Sequence, residues 1–222
     1  MKKLKIEMVH DIVCSWCPIG YSNIQKAIDN LAIEVDFHFL PFELNPKMSE
    51  EGEAIPSYFK RLQGWNSTTL LDYQSSLVKT AKHAGVIIDF SKRTHYYNTK
   101  NAHKLIHWTE QFNKQSAVNE SLIQAYFKEG QDINDIDVLL NIAEQLGLDS
   151  VSTENALLSK LLTQELDIKF ERQRRFNIRS IPAFIINEHT LILGSNSIES
   201  FEKALSEIIN ASISKEEVIF NS

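Results

Sequence analysis

Polar and apolar residues alternate in two short segments near the start of the chain. Residues 3–9 and 33–39 both repeat with a period of two, which is typical of half-buried strands. Between them, apolar side chains recur at helical spacing at Ile24, Ala27, Ile28 and Leu31. We therefore expect a first strand over residues 4–12, then a helix, then a second strand. This order predicts a βαβ unit with a right-handed crossover.

Helical periodicity replaces alternation from about residue 56 to residue 176. Five amphipathic stripes follow one another there, and no segment predicts a strand. Their apolar positions are Leu70, Tyr73, Leu77 and Ala81; Ala102, Leu105, Ile106 and Phe112; Leu122, Ile123, Tyr126 and Phe127; Ile136, Leu139, Leu140, Ala143 and Leu146; and Leu157, Leu161, Leu162, Leu166 and Phe170. The pattern predicts an inserted all-helical domain over residues 56–175.

Strand signals return near the end of the chain. Residues 183–186 and 191–193 flank a short polar turn, which predicts a hairpin. Asn196 and Ser197 are candidate N-caps for a last helix. We therefore expect an α/β fold in which residues 1–55 and 176–222 form one domain, divided by the helical insertion.

Length and charge narrow the classes of function. The chain has 222 residues, 43% of them hydrophobic, and a net charge of −6. This balance argues against nucleic acid or an anionic membrane as the main partner. No window approaches the roughly 18 apolar residues of a membrane span. The basic N-terminus begins like a signal peptide, but Glu7, His10 and Asp11 interrupt its apolar run, so we expect a cytoplasmic protein.

Cysteine occurs only twice, at Cys14 and Cys17. A disulfide between them would close a very short loop and add little stability, and it would not persist in a reducing cytosol. The pair is therefore expected to carry chemistry or to be half of a metal site. It lies between a predicted strand and a predicted helix, and a helix N-terminus stabilises a thiolate. We assign Cys14 as the nucleophile and Cys17, one turn further, as the resolving thiol.

Pro182 stands immediately before the returning strand. A proline at this point cannot donate to the strand ladder. If its peptide bond is cis, the backbone groups of Ile181 are free to pair with an extended peptide. We therefore expect Pro182 beside the thiols and Ile181 in contact with substrate.

Five segments resemble the signature blocks of the DsbA-like oxidoreductases of the FrnE type. They are residues 11–20 (DIVCSWCPIG), 41–46 (PFELNP), 101–105 (NAHKL), 125–130 (AYFKEG) and 180–184 (SIPAF). The resemblance spans nearly the whole chain and implies a thioredoxin-like fold with a helical insertion, Cys-x-x-Cys chemistry and a cis proline at Pro182. That family usually has Pro-Trp between its cysteines, where this chain has Ser15 and Trp16, so the preferred redox direction stays open.

Several residues near the predicted site allow two interpretations. Ser15 and Trp16 are candidate substrate contacts, although Trp16 would equally serve to cover Cys17. Asp11 and Glu43 would accept a proton from Cys17 if buried, and would merely be solvated if exposed.

Other interpretations leave the cysteines without redox chemistry. They would be two ordinary buried thiols, or they would join His103 and His107 in a zinc site. We expect no metal, because the fold explains the cysteines without one.

The leading hypothesis is a thiol–disulfide oxidoreductase that acts on protein or small-molecule disulfides. It needs no bound cofactor, and glutathione, as a co-substrate, or a thioredoxin-type reductant would recycle it. The alternative is a glutathione-dependent transferase or isomerase, of the kappa or 2-hydroxychromene-2-carboxylate isomerase type, which residues 11–20 and 194–196 also resemble. A third hypothesis is a metal-sensing or chaperone-like binding module without catalytic activity.

Overall fold

The structure is a computed structural model that describes residues 3–220, with side chains as far as residue 211. The first two and the last two residues of the chain, which belong to the domain predicted over residues 1–55 and 176–222, lie outside this range. Within it the strands are β1 (Leu4–His10), β2 (Val35–Pro41), β3 (Glu53–Ala54), β4 (His95–Tyr96), β5 (Ala183–Ile186) and β6 (Thr190–Leu193). The helices are α1 (Cys17–Leu31), α2 (Ile55–Gln63), α3 (Ser67–Ala84), α4 (Lys100–Trp108), α5 (Gln115–Ile123), α6 (Ile136–Gln145), α7 (Ser150–Leu158), α8 (Lys160–Arg175) and α9 (Ile198–Phe220).

The main sheet has the strand order β2-β1-β5-β6. β1 is parallel to β2 and antiparallel to β5, with Val9 opposite Ala183. The carboxyl end of β1 therefore lies beside the amino end of β5. This register brings residues 11–17, which follow β1, next to Ile181 and Pro182, which precede β5.

Helices cover both faces of this sheet. α1 and α9 pack against each other, and their apolar side chains share one large core with β1 and with the helices between β2 and β5. A smaller apolar cluster on the other side contains Val9, Leu40, Ile178, Ala183 and Ile185. α8 packs beside β2. Because β1 is buried on both faces, the loop that follows it starts from a rigid position.

The βαβ unit, the hairpin and the last helix agree with the sequence predictions. The first strand ends earlier than expected, at His10 instead of residue 12. The reason is a turn in which the Cys14 amide donates to the Asp11 carbonyl over 3.1 Å. At the last helix, Ser197 is the residue that caps, because its hydroxyl accepts from the Ser200 amide at 3.2 Å.

The helical region differs from its prediction in two places. The fifth stripe is two helices, because Ser159 is extended and its hydroxyl accepts from the Leu162 amide, which begins α8. A two-stranded ribbon of β3 and β4 was not predicted, since strands of two residues have no periodicity to detect. The second stripe ends in a 3-10 turn (Thr109–Phe112) and the third in a π-helical turn (Gln124–Lys128).

None of the helices described is long and apolar enough to cross a membrane. The division of the chain at residues 55 and 175 stays a prediction.

Candidate active site around the two cysteines

Cys14 and Cys17 occupy two consecutive turns between β1 and α1. The Cys17 amide donates to the Cys14 carbonyl over 3.1 Å, and α1 begins at Cys17 with Pro18 in its first turn, where no amide donor is needed. Both cysteines are free thiols, and their exposed fractions are 6% and 2%. Both thiols are therefore buried, and Cys14, which precedes the start of the helix, is slightly the more exposed of the two.

The two thiols have opposite acidities. A hydrogen bond from Cys17, assisted by the backbone amides of Trp16 and Cys17, lowers the pKa of Cys14, against the opposing effects of burial and of the Asp11 charge. Burial and the neighbouring Cys14 raise the pKa of Cys17 well above its usual value. Cys14 is thus the thiol that ionises first, and a thiolate is the nucleophilic form of cysteine.

The loop before β5 completes this side of the site. The Cys14 sulfur lies 3.9 Å from the Ile181 carbonyl oxygen, and the peptide bond between Ile181 and Pro182 is cis. The Pro182 carbonyl accepts from the Gly194 amide at 2.8 Å, which ties the loop to the end of β6. The register of the sheet thus brings together Cys14, Ile181 and Pro182, all three of them predicted site residues.

Gly20 holds this loop against the first turns of α1. A Cβ atom at Gly20 would lie 2.8 Å from Pro182 Cγ and 3.2 Å from Ser195 Cα, so a larger side chain would force the loops apart. No role for Gly20 was predicted from the sequence. The available signal was a glycine early in a predicted helix, a position that costs helix stability and often has a packing reason.

Trp16 and Ser15 face different surroundings. Trp16 is 38% exposed, and its side chain lies beside that of Tyr73 on α3. Tyr73 lies 5.1 Å from the Trp65 ring, which stacks on Phe59. Ser15 is buried, and its hydroxyl has no partner among residues 3–211. The geometry therefore leaves Trp16, and not Ser15, at the surface where a substrate would approach.

A buried polar group lies behind Cys17. Asp11 is 1% exposed; its Oδ2 accepts from the Leu44 amide at 2.7 Å, and its Oδ1 is 3.4 Å from Nε2 of the buried His103. That nitrogen also donates to the Phe42 carbonyl at 3.1 Å. Asp11 and Cys17 line the same small void, which has no room for a water molecule.

Two further titratable residues adjoin this group. Burial, with a smaller effect of His103, lowers the pKa of His10 well below its usual value, so His10 is neutral near pH 7. Burial raises the pKa of the half-buried Glu43. Asp11, Glu43 and His103 were candidates from the sequence, whereas His10 follows the pattern of an inward strand residue and gave no signal of a role in the site.

The four ligands considered for zinc do not converge. His107 lies 3.5 Å from Glu110 and 3.4 Å from Glu165, which is on α8, while His103 faces Asp11. In the part of the chain that the structure describes, no group of three or more His, Cys, Asp or Glu residues is arranged to hold a metal ion.

The fold and this site define a class of protein: an α/β protein with a Cys-x-x-Cys pair at a helix start beside a cis-proline loop. Residues 5–206 match the family described as the DSBA-like thioredoxin domain, and the chain belongs to this family. The predicted fold class, a thioredoxin-like fold with a helical insertion, is confirmed.

Individual relatives agree with this assignment. The uncharacterized protein YwbO of Bacillus subtilis (strain 168) is 31% identical over 206 residues, which cover 91% of this chain and 96% of YwbO. The crystal structure of a probable DsbA oxidoreductase from Streptomyces coelicolor is similar with a TM-score of 0.85 at 20% identity, over 92% of this chain and 89% of that one.

Two more distant structures share the fold. A 2-hydroxychromene-2-carboxylate isomerase has a TM-score of 0.72 at 14% identity, over 95% of this chain and 98% of the isomerase. The cytosolic disulfide reductase DsbM of Pseudomonas aeruginosa, solved with GSH, has a TM-score of 0.66 at 14% identity, over 93% and 99% of the two chains. At these identities the likeness concerns the fold.

Proposed function

We propose that the protein is a thiol–disulfide oxidoreductase in which Cys14 attacks and Cys17 resolves. The observation that carries this proposal is the position of the more acidic thiol, Cys14, at the start of α1, 3.9 Å from the Ile181 carbonyl and beside a second thiol. Membership of the DSBA-like family supports the reaction class.

In the reducing direction the reaction has two exchanges. The Cys14 thiolate attacks one sulfur of a substrate disulfide; the Cys14–substrate S–S bond forms, the substrate S–S bond breaks, and the first substrate thiolate leaves and takes a proton. The Cys17 thiolate then attacks the Cys14 sulfur and releases the second substrate thiol. The substrate gains two electrons, and the cysteines become a disulfide. The reverse sequence oxidises a dithiol.

Cys17 must lose its proton before the second exchange, and its raised pKa opposes this. Asp11 is the carboxylate placed to accept it, because it is buried in the wall of the same void and its Oδ1 has no hydrogen-bond partner among the residues described. His103 lies 3.4 Å from that oxygen and would stabilise the carboxylate once the proton has moved on.

We further propose that the substrate backbone pairs with Ile181 while Trp16 covers the exposed edge of the site, and that Pro182 holds this surface beside the thiols. Glutathione, a monothiol of the same reactivity class, or a thioredoxin-type reductant would regenerate the dithiol. A cytosolic disulfide reductase solved with GSH shares the fold, which supports a cytoplasmic reductase more than a net oxidase.

The test is a titration of the purified protein in glutathione buffers, with acid quenching, alkylation and mass spectrometry at each point. We expect one reversible two-electron couple confined to Cys14 and Cys17. Cys17→Ser should accumulate a mixed disulfide at Cys14, whereas the matched variant Cys14→Ser should form none. Failure of the wild-type protein to form an internal disulfide at any ratio would contradict the proposal.

The second candidate is a glutathione-dependent transferase or isomerase. The loop of residues 194–196 favours it, because Ser195 packs on Gly20 beside Pro182 and so lies next to the cysteine pair, and an isomerase shares the fold. Conjugation or isomerisation of an aromatic substrate that survives Cys14→Ala would support this candidate over disulfide exchange.

A further inference from the structure

Arg93 carries a positive charge into the interior of the molecule. It lies in the segment between α3 and β4 and is 2% exposed. A guanidinium stays protonated in proteins, so burial does not remove this charge. Four aromatic rings surround it, with centroids 4.7–5.3 Å from Cζ: Phe90, Tyr96, Tyr126 and Phe127.

The charge of Arg93 has no acidic partner. Among residues 3–211, no carboxylate lies within 4.0 Å of its guanidinium, and its Nε atom has no hydrogen-bond acceptor. Arg172 shows the contrast: it pairs with the buried Glu7 through two contacts of 2.6 Å and 2.5 Å. A buried charge without a counter-charge is strongly destabilising, and a ring of aromatic faces offsets that cost only in part.

The guanidinium points at the cysteine loop. Its Nη2 atom donates to the Val13 carbonyl over 3.2 Å, and this carbonyl belongs to the peptide bond that joins Val13 to Cys14. Tyr73 is near both groups: the pKa of its phenol is raised to about 12, chiefly by burial, and among the smaller effects Cys14 raises this pKa and Arg93 lowers it. The cation and the nucleophilic sulfur thus act on one neighbouring side chain.

The helical region fixes Arg93 in this orientation. The π-helical turn (Gln124–Lys128) places the consecutive residues Tyr126 and Phe127 on the same guanidinium, and π-turns are frequent at functional sites. The Phe127 carbonyl accepts from the Asp89 amide at 2.8 Å. Gly130 follows with a positive φ, and a Cβ there would overlap the carbonyl of Lys92.

Building on the proposed function, we propose that Arg93 is a positioning residue whose charge stabilises the Cys14 thiolate. In the reduced protein the thiolate supplies the counter-charge that Arg93 lacks. In the exchange of the dithiol with glutathione disulfide, which yields the protein disulfide and two glutathione thiols, that counter-charge is lost. Arg93 therefore favours the reduced form and makes the couple more oxidising.

Other groups also set the acidity of Cys14. Cys17 and the amides of Trp16 and Cys17 favour the thiolate, while the Asp11 charge opposes it. These groups stay in place when only residue 93 is changed, so a variant there isolates the contribution of the guanidinium.

The test separates charge from structure with three substitutions. Arg93→Gln keeps a donor for the Val13 carbonyl without charge, Arg93→Met fills the cage without charge, and Arg93→Lys keeps the charge. The Cys14 pKa is measured in a Cys17→Ser background from the pH dependence of alkylation by iodoacetamide. The redox equilibrium is measured with glutathione in the two-cysteine protein. Phe90→Leu is the matched control, because it loosens the cage and leaves the charge.

We expect Gln and Met to raise the Cys14 pKa by about one unit, which is about tenfold less thiolate at fixed pH. The equilibrium constant for oxidation of the dithiol by glutathione disulfide should then rise about tenfold. This equals a shift of the potential by about 30 mV in the reducing direction. In Arg93→Lys, the fraction of Cys14 thiolate at fixed pH should stay within about threefold of the wild-type value. Phe90→Leu should lower the Tm and leave the Cys14 pKa unchanged.

Two results would overturn the inference: equal shifts in the Gln, Met and Lys variants, or no shift in any of them. In the wild-type protein, the NMR resonance of Arg93 Nε–H should move with the Cys14 titration and stay fixed in Cys14→Ser, which requires no variant at position 93. The Cys14 pKa and the NMR titration can both be measured on the free Cys14 thiol, without formation of a disulfide. If wild type forms no disulfide, the proposed function fails, and the Cys14 pKa still decides the role of Arg93.

Discussion

The surroundings of Cys14 and of Cys17 differ, although the two thiols are separated by only two residues. Cys14 is near hydrogen-bond donors at the start of α1 and the Ile181 carbonyl, and Arg93 donates to the carbonyl of the preceding residue, Val13. Cys17 and Asp11 line the same small void. The first environment favours a thiolate, and the second favours a neutral thiol.

Two identical side chains therefore acquire different roles from their surroundings. Both cysteines are buried, and their neighbours in space decide how acidic each becomes. The site on the Cys14 side depends on contacts from β5 and from the helical region, whereas the site on the Cys17 side depends on Asp11 in the loop after β1. Changes that affect one side alone therefore test the comparison.

The largest expected effect is on the Cys17 side. Asp11→Asn keeps an oxygen that can accept from the Leu44 amide, but it cannot accept a proton from Cys17. We expect release of the second thiol from a preformed Cys14 mixed disulfide to slow about a hundredfold, the range of general base catalysis. Single-turnover release of an aromatic thiol, followed by absorbance, measures this step.

The same variant has an effect of opposite sign on acidity. The Asp11 charge raises the pKa of both thiols, so Asp11→Asn should lower both values. Glu43→Gln is the matched control and should change the release rate less than about threefold. Faster release in Asp11→Asn would mean that Asp11 acts by its charge and not as a proton acceptor.

A smaller effect is expected on the Cys14 side from Gly20→Ala. The new Cβ would lie 2.8 Å from Pro182 Cγ and must displace the loop that carries Ile181. Overpacking of this kind costs about 1–3 kcal/mol, which outweighs the gain of about 1 kcal/mol in helix propensity. Urea unfolding should show a net loss, and disulfide exchange should slow several-fold.

Asp29→Ala serves as the control for Gly20→Ala, since it also introduces alanine into α1 but at an exposed position. It should leave both stability and exchange near the wild-type values. An alanine at position 20 that left exchange untouched would show that the contact between α1 and the Pro182 loop does not position the site.

The smallest effect concerns stability at alkaline pH. The folded-state pKa of Cys17 is raised, chiefly by burial, so its contribution is fully present below the unfolded thiol pKa of about 8.5 and is lost as pH rises above it. In Cys14→Ser, which keeps the buried Cys17, we expect a loss of about 1–2 kcal/mol between pH 8 and pH 10. Urea titrations at each pH measure it.

The double variant Cys14→Ser, Cys17→Ser removes the contribution of Cys17 and leaves all other titrating groups in place. It should therefore lose less stability between about pH 8 and about pH 10. Equal pH profiles for the two proteins would contradict the assignment of a raised pKa to Cys17.

Much of the fold follows from local patterns. Alternation located β1 and β2, and helical spacing located α3, α4, α6 and α9, because an element that buries one face shows its period in its own sequence. The cysteine pair between a strand and a helix indicated the chemistry for the same local reason. Boundaries such as His10 and the break at Ser159 depend on single hydrogen bonds, to which periodicity is insensitive.

Packing in three dimensions set the surroundings of each site residue, although the sequence predicted that the Pro182 loop lies beside the thiols. Ser15, adjacent to the nucleophile, is buried, while Ile181, 167 positions from Cys14, contacts it. Arg93 and His103 belong to the region between the two halves of the sheet, and no local pattern shows which side chain they face. Acidity depends on burial and on nearby charges in space, so the sequence determined the reactive residues and the packing determined their acidities.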